Sequence, residues 1–273
     1  MPEGPEVKIA SKYFNDFFKK SEKIEFELLT QYYKEKYTNV FSHIKKNLKH
    51  YQPSYTIGKN IFIDLNGNSV FNFHLGMTGG WCSKLIKHCH FRVFNESKEL
   101  FFRDVRKFGK MRIIDKKIIA TKHCEEYDLL HKNHNFKKHL KFLSEKISPR
   151  RSTCSVLMDQ KYFPGVGNYI KSEALFSAKI HPEEKWQNLT NKEKSNLILQ
   201  TQNIMIKSYQ YGGAELRDFK NPSHKSQFKL NIYGRKHTDQ KHPIKSYISS
   251  DQRRTWISEK YQKLKVDKYI HKT

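Results

Sequence analysis

The chain is 273 residues long and carries 52 Lys+Arg against 27 Asp+Glu, a net charge of +25. That length suffices for two domains with substantial cores, and the cationic surplus makes nucleic acid the first partner to consider, with a basic surface kept for solubility as the plainer alternative. No apolar run of about 18 residues occurs, so no membrane-spanning helix is expected, and the start MPEGPEVKIA lacks the basic opening and apolar stretch of a secretion signal, which points to an intracellular, non-secreted protein.

Residues 5–20 read as one amphipathic helix, because Val7, Ala10, Phe14, Phe17 and Phe18 recur near 3.6-residue spacing behind Pro5 in the first turn. From about 23 to 118 the texture is β. Runs such as Ile61-Phe62-Ile63, Val70-Phe71-Asn72-Phe73 and Phe91-Arg92-Val93-Phe94 end at turn signals such as Asn66-Gly67-Asn68. A helix followed by many short strands predicts a β-sandwich or barrel. A basic stretch, Lys132 to Lys146, follows. From 135 to 210 the periodicity is helical, broken at Phe163-Pro164-Gly165-Val166-Gly167, where Pro and two Gly force a turn. Between 226 and 262 short β texture returns as a hairpin. The four cysteines, Cys82, Cys89, Cys124 and Cys154, form no Cys-x-x-Cys pair and read as reduced thiols. Cys82, His88, Cys89 and His90 cluster at a spacing that suits no common zinc site, so no metal is expected.

The first residues carry chemistry. Once Met1 is trimmed, Pro2 offers a free secondary amine, which attacks a sugar C1′ to form an iminium ion. An α-amine titrates near pH 8, leaving an appreciable neutral fraction at pH 7. Glu3 stands beside it to move protons, and Glu6 lies close enough to share the pocket. The plainer reading is a helix N-terminus, where Pro and acids are common.

Three further blocks decide between these readings. They are Ile57-Gly-Lys59 through Phe73-His74-Leu-Gly-Met77-Thr-Gly79; Arg103-Asp104-Val-Arg106-Lys-Phe108-Gly109; and Leu157-Met-Asp-Gln160 through Pro164-Gly-Val-Gly-Asn168-Tyr-Ile-Lys-Ser-Glu173. With Met1–Val7 they resemble, in order and across nearly the whole chain, the formamidopyrimidine-DNA glycosylase / endonuclease VIII family. Gly4 makes the first block look more like the endonuclease VIII branch. The resemblance implies Pro2 as Schiff-base nucleophile, Glu3 as proton donor with Glu6 nearby, and Lys59 on a hairpin contacting phosphate and assisting β-elimination. It implies His74 as a phosphate grip, Met77, Arg106 and Phe108 as plugs for the hole left by an everted base, and Asn168 as a phosphate contact in a helix–two-turn–helix. These roles fit the physics of base eversion and of phosphate binding at a helix N-terminus. Without the resemblance, Lys59 reads as a surface charge, Met77 and Phe108 as core, and the fourth block as a structural helix hairpin.

The sequence also departs from the family. Many members end in a four-cysteine zinc finger; here Tyr233-Gly-Arg-Lys236 and Arg253-Arg-Thr255 are present, but Gln240, Pro243, Ser258 and Tyr261 stand where the cysteines would fall. A metal-free ("zincless") finger is therefore expected, held by side chains such as Trp256 and Tyr247. Arg253 matches the finger arginine that binds phosphate and helps δ-elimination, with Arg254 the neighbouring DNA-binding arginine. The residues from Asp218 to Gln227 are a candidate base-capping loop.

The expected fold is α+β: an N-terminal catalytic β-sandwich with a leading helix (1–130), a helix–two-turn–helix DNA-binding domain (131–225) and a β-hairpin finger with its tail (226–273). The expected activity is that of a DNA glycosylase with abasic-site lyase activity in base excision repair. It would remove oxidised pyrimidines and hydantoin-type lesions with β,δ-elimination, act as a monomer on damaged duplex or single-stranded DNA, and need no cofactor. The alternative from another class is a lesion-sensing DNA-binding protein that kept the fold without the chemistry.

Overall fold

The computed structural model describes residues 1–215 and 219–265. Contacts divide the chain into two units. One comprises 1–124 with 209–227, and the other 125–208 with 228 onward. The sequence had suggested cuts near 130 and 225; by contacts the segment 209–227 belongs with the first unit.

In the first unit, α1 (Gly4–Phe18) begins at a capping box of Glu3 and Glu6, with proline in its first turn. The box satisfies N–H groups that a helix start leaves without partners. The expected β region forms two antiparallel four-stranded sheets. One contains β1 (Glu25–Leu28), β6 (Cys89–Phe94), β7 (Glu99–Asp104) and β5 (Gly79–Cys82) in that order. The other contains β2 (Ser54–Ile57), β3 (Asn60–Asp64), β4 (Ser69–His74) and β8 (Lys110–Asp115). Side chains of both sheets meet α1 in one aromatic core. The Trp81 ring lies 5.5 Å from Phe14 of α1, 5.7 Å from Phe73 of the second sheet, and 5.8 and 5.6 Å from Phe91 and Phe102 of the first. Full burial of each such ring contributes roughly 1.5–3 kcal/mol.

One element departs from the expected all-strand texture of 23–118. The segment Gln31–Asn47 is a helix, α2, which buries Tyr33, Tyr37, Phe41 and Ile44. Intervals of four, four and three residues put these on one helical face. Their aromatic and β-branched character favours strands locally, and packing on the core overrides that preference. The short α3 (Lys116–Lys122) lays Ile119 over a second apolar cluster with Ile57, Phe62 and Val70.

The second unit contains α4 (Phe136–Lys146), α5 (Thr153–Met158), α6 (Asn168–Ala178) and, as far as Ser208, α7 (Asn191–Gln210). The interruption between α5 and α6 is braced by Gln160. Its amide accepts from Gly165 N at 3.1 Å and donates to Val166 O at 2.8 Å. The expected hairpin is present as β9 (Lys245–Ile248) paired antiparallel with β10 (Arg254–Ile257). Among the described residues, no helix is long and apolar enough to cross a membrane.

His139 is wholly buried on α4, with Nε2 2.7 Å from Tyr162 O. Burial holds its imidazole down at about 4, against 6.5 for a free histidine. The unfolded chain therefore takes up the proton first. Stability from this group is full above about pH 6.5, falls as pH drops towards 4, and is lost below that, a difference of roughly 3 kcal/mol. Urea titrations between pH 7 and 4 should show this acid loss, and a His139→Phe variant, although less stable at pH 7, should show a shallower one. An equal slope in both would assign the loss to other groups.

Candidate functional site

Pro2 is buried, as are Glu3 and Glu6, 2% and 0% exposed. Two buried carboxylates persist here because α1's N-terminus supplies donors and a favourable dipole. Glu6 spans two segments: Oε2 accepts from Glu3 N at 2.8 Å, and Oε1 from Ala214 N at 2.8 Å. The approach demands glycine at 213, where φ is +84° and a Cβ would lie 3.1 Å from Glu6 Oε1. Glu6 therefore acts as a fixed strut under Pro2 and Glu3. The expected capping loop begins near this contact; Asp218 itself lies outside the described residues, while Asn221 and Ser226 tie the loop back to Gly212 O and Gly213 O.

Lys59 is the second residue of the two-residue turn joining β2 and β3, opened by Gly58 at φ +58°. It is 7% exposed, unlike the solvated surface lysine that its position alone would indicate. His74 ends β4, and its Nδ1 accepts from Gly76 N at 2.9 Å. Burial, then the charges of Lys59, Lys110 and Arg112, hold the imidazole down at about 4. The ring is thus neutral at pH 7. With Nδ1 accepting, its proton sits on Nε2, which is free to donate to an anion.

Met77, Arg106 and Phe108 sit on two loops joined by the fully buried Asp104. Thr78 Oγ1 donates to Asp104 Oδ1 at 2.5 Å, Gly109 N donates to Oδ2 at 2.7 Å, and Tyr33 Oη reaches Oδ2 at 3.4 Å. Arg106 N in turn donates to Thr78 Oγ1 at 3.0 Å. Gly76 packs so tightly that a Cβ would lie 2.5 Å from the Phe108 carbonyl carbon. The Arg106 guanidinium rests 4.8 Å above the Phe108 ring, which is 47% exposed. An exposed phenylalanine and arginine stacked on a braced loop are not core residues. His74, Met77 and Phe108 line one cavity, together with Asn72, Lys110 and Arg112.

In the second unit, Asn168 opens α6 and its Nδ2 donates to Arg254 O at 2.9 Å. Two further α6 side chains hold the finger. Glu173 accepts from the backbone N of Asn231, Ile232 and Tyr233 at 2.9 Å each. Lys171, wholly buried, donates to Asp251 Oδ2 at 2.6 Å and Thr255 Oγ1 at 2.8 Å. Asp251 also accepts from Ser249 Oγ at 2.5 Å, and Gln252 turns the tip at φ +59°. Arg253 is exposed on that tip, whereas Arg254 starts β10 and reaches Ser246 Oγ at 3.2 Å. Trp256 packs 4.3 Å from Tyr233. The Tyr247 hydroxyl is buried with no hydrogen-bond partner, so the ion pair on Lys171, rather than Tyr247, is the polar anchor.

Among the described residues, no three His, Cys, Asp or Glu are grouped to hold a metal ion. Cys82 and Cys89 are adjacent, Sγ to Sγ 3.5 Å, and burial with this contact pushes the Cys82 thiol up to about 12. His90 is occupied by Thr30 Oγ1 and Asp104 O. Sequence reasoning gave no role to Asp104, Lys171 or Gly213, whose partners are distant in the chain, or to Lys110 and Arg112. For the last two, the basic–apolar–basic alternation of Lys110-Met111-Arg112 was an available signal.

Residues 1–111 match the model of the formamidopyrimidine-DNA glycosylase N-terminal domain, and residues 128–220 that of the formamidopyrimidine-DNA glycosylase H2TH domain. The formamidopyrimidine-DNA glycosylase of Rickettsia conorii is 32% identical over 194 residues, covering 65% of this chain and 68% of that protein. That of Rickettsia bellii is 32% identical over 188 residues, with the same coverage. The fold matches the crystal structure of the MutM (Fpg) protein from Thermus thermophilus at a TM-score of 0.80 and 22% identity, over 96% of this chain and 98% of that one. The Lactococcus lactis Fpg in complex with abasic-site DNA matches at 0.80 and 22%, over 95% and 99%.

Two variants test the braces. Asp104→Ala should destabilise the protein by about 2–4 kcal/mol, because it strands a buried hydroxyl and N–H. It should also speed amide exchange at Arg106 and Gly109; unchanged exchange there would mean that other contacts hold the loop. Lys171→Met should cost about 3–5 kcal/mol by leaving Asp251 buried without a counter-charge. Adding Asp251→Leu should recover part of that in thermal unfolding, and no recovery would argue against the ion pair as the anchor.

Proposed function

The chain belongs to the formamidopyrimidine-DNA glycosylase family, the DNA glycosylases of base excision repair, and we propose that it is bifunctional, excising oxidised bases and then cleaving the strand through a Schiff base on Pro2. The observation that carries this reading is the Glu6 strut, which fixes the Pro2–Glu3 segment by bonds to Glu3 N and Ala214 N. A structural helix start needs no buried second carboxylate reaching a segment 208 residues away.

In the proposed sequence Met1 is removed and the Pro2 nitrogen becomes a secondary amine. It attacks C1′ of the everted nucleotide, and the base leaves with the bonding pair and takes a proton. Glu3 protonates the sugar ring oxygen, the ring opens, and a C1′–nitrogen iminium forms. The iminium acidifies C2′. Loss of a C2′ proton expels the 3′ phosphate, and a second elimination expels the 5′ phosphate. Met77, Arg106 and Phe108 fill the vacated stack. Lys59, the Nε2–H of His74, Asn168, Arg253 and Arg254 hold the damaged strand by its phosphates, which carry affinity without sequence. In this reading catalysis belongs to the first unit, 1–124 with 209–227, and strand binding and the metal-free finger to the second. The protein works as a monomer, and Gly4 tilts its preference towards oxidised pyrimidines and hydantoins.

Borohydride reduction in the presence of abasic-site duplex should trap a covalent adduct, mapped by mass spectrometry to Pro2. Pro2→Gly should lose most trapping while binding DNA nearly as well, and Glu3→Gln should slow base release by about 10²–10⁴-fold. A wild-type protein that binds lesion DNA without ever being trapped would be a lesion sensor and not a lyase.

A further inference from the structure

The cavity beside His74 extends past the residues used above. Along β4 and β8, Asn72 pairs with Arg112 and His74 with Lys110. Residues two apart on a strand share a face, so these four side chains lie together. Asn72 is 2% exposed, and its Nδ2 donates to Ile61 O at 3.2 Å. That bond fixes which way the amide points and leaves Oδ1 to accept from Arg112 Nε at 2.8 Å. Arg112 as a residue is exposed. A buried amide thus holds an exposed arginine by its inner nitrogen and leaves its two outer nitrogens, the pair that matches two oxygens of a phosphate, outside that bond.

The charge balance points the same way. The cavity, about 320 Å³, is lined by Lys110 and Arg112 with Asn60, Asn72 and His74, and among the described residues no carboxylate lines it. The charges of Lys59, Lys110 and Arg112 all reach His74 and help to keep it neutral. Like charges gathered around one cavity repel unless an anion occupies it. Met1, Gly76, Met77 and Phe108 line the same cavity, which places the basic residues beside those assigned to the vacated base stack.

We propose that Arg112 and Lys110 form a phosphate-binding subsite, in which Arg112 clasps one phosphodiester of the DNA strand adjoining the phosphate held by His74. The proposal rests on the DNA-binding reading above but not on the Schiff-base chemistry. Asn72 is the positioning residue and Lys110 adds a point charge. Arg112 lies two residues along β8 from Lys110, so the subsite lengthens the strand contact beyond the lesion itself.

The test uses the full chain and lesion-bearing duplexes in which one phosphate at a time is replaced by an uncharged methylphosphonate. Wild type should lose about tenfold in affinity at low salt at one position near the lesion, beyond the position read by His74. Arg112→Gln should bind the unmodified duplex about tenfold more weakly, be indifferent to the methylphosphonate at that position, and show a salt slope lower by about one. Arg112→Lys should restore the slope but not the full affinity, because it returns the charge without the fork. The melting temperature should fall only slightly in both, by the cost of losing the bond to the buried Asn72 Oδ1. A uniform weakening of Arg112→Gln at every position, or an unchanged salt slope, would overturn the subsite and leave a diffuse basic surface. Borohydride trapping on the same duplexes reads the catalytic proposal separately, so failure to trap with an intact position-specific response would sink that proposal and not this one.

Discussion

The first unit turns on a single buried carboxylate. Asp104 gathers a hydroxyl from the β4–β5 loop, an amide from the β7–β8 loop and a phenol from α2. A carboxylate accepts several hydrogen bonds but tolerates burial only when they are made, so each donor is held in place by the cost of losing it. The two loops that carry Met77, Arg106 and Phe108 are therefore one object. In the role proposed for them, side chains that push into a base stack must not fold back under load, and the brace would supply that stiffness.

The same device recurs. Glu6 holds the N-terminal segment against Ala214, Glu173 receives three consecutive backbone amides of the finger, and Asp251 is caught by Lys171. In a chain with a net charge of +25, acids are scarce, and these four sit inside, where they hold backbone amides or, at Asp251, the buried Lys171, while cations such as Arg106, Arg112 and Arg253 face outward. The division is electrostatically coherent. An outer carboxylate would repel a polyanion, whereas a buried one bonded to amides is shielded from it.

Much of this was legible in the sequence where the signal is local. The start of α1 followed from Pro5 and its acids, the strand texture from alternation and turn residues, and the break before Asn168 from Pro164, Gly165 and Gly167. The helix α2 was not, because Tyr33, Tyr37 and Phe41 favour strands as residue types although their spacing is helical. The braces were invisible for a different reason. Glu6 and Ala214 are 208 positions apart, and Lys171 and Asp251 are 80 apart. Nothing near Lys171 in the chain distinguishes a lysine that will be wholly buried from one that will be solvated. Asp104 stood inside a recognised string, but its role depends on Thr78 and Tyr33, which are brought to it only by folding.

The lock between Lys171 and Asp251 has a bearing on where such a protein can work. A finger built on zinc thiolates presents sulfur to peroxide, the class of agent that oxidises bases, and sulfenic acids or disulfides then eject the metal. From residue 226 to 273 this chain contains neither cysteine nor methionine. An ammonium paired with a carboxylate has no electron to surrender under such conditions. The lock on the hairpin that carries Arg253 thus offers peroxide no thiolate to oxidise.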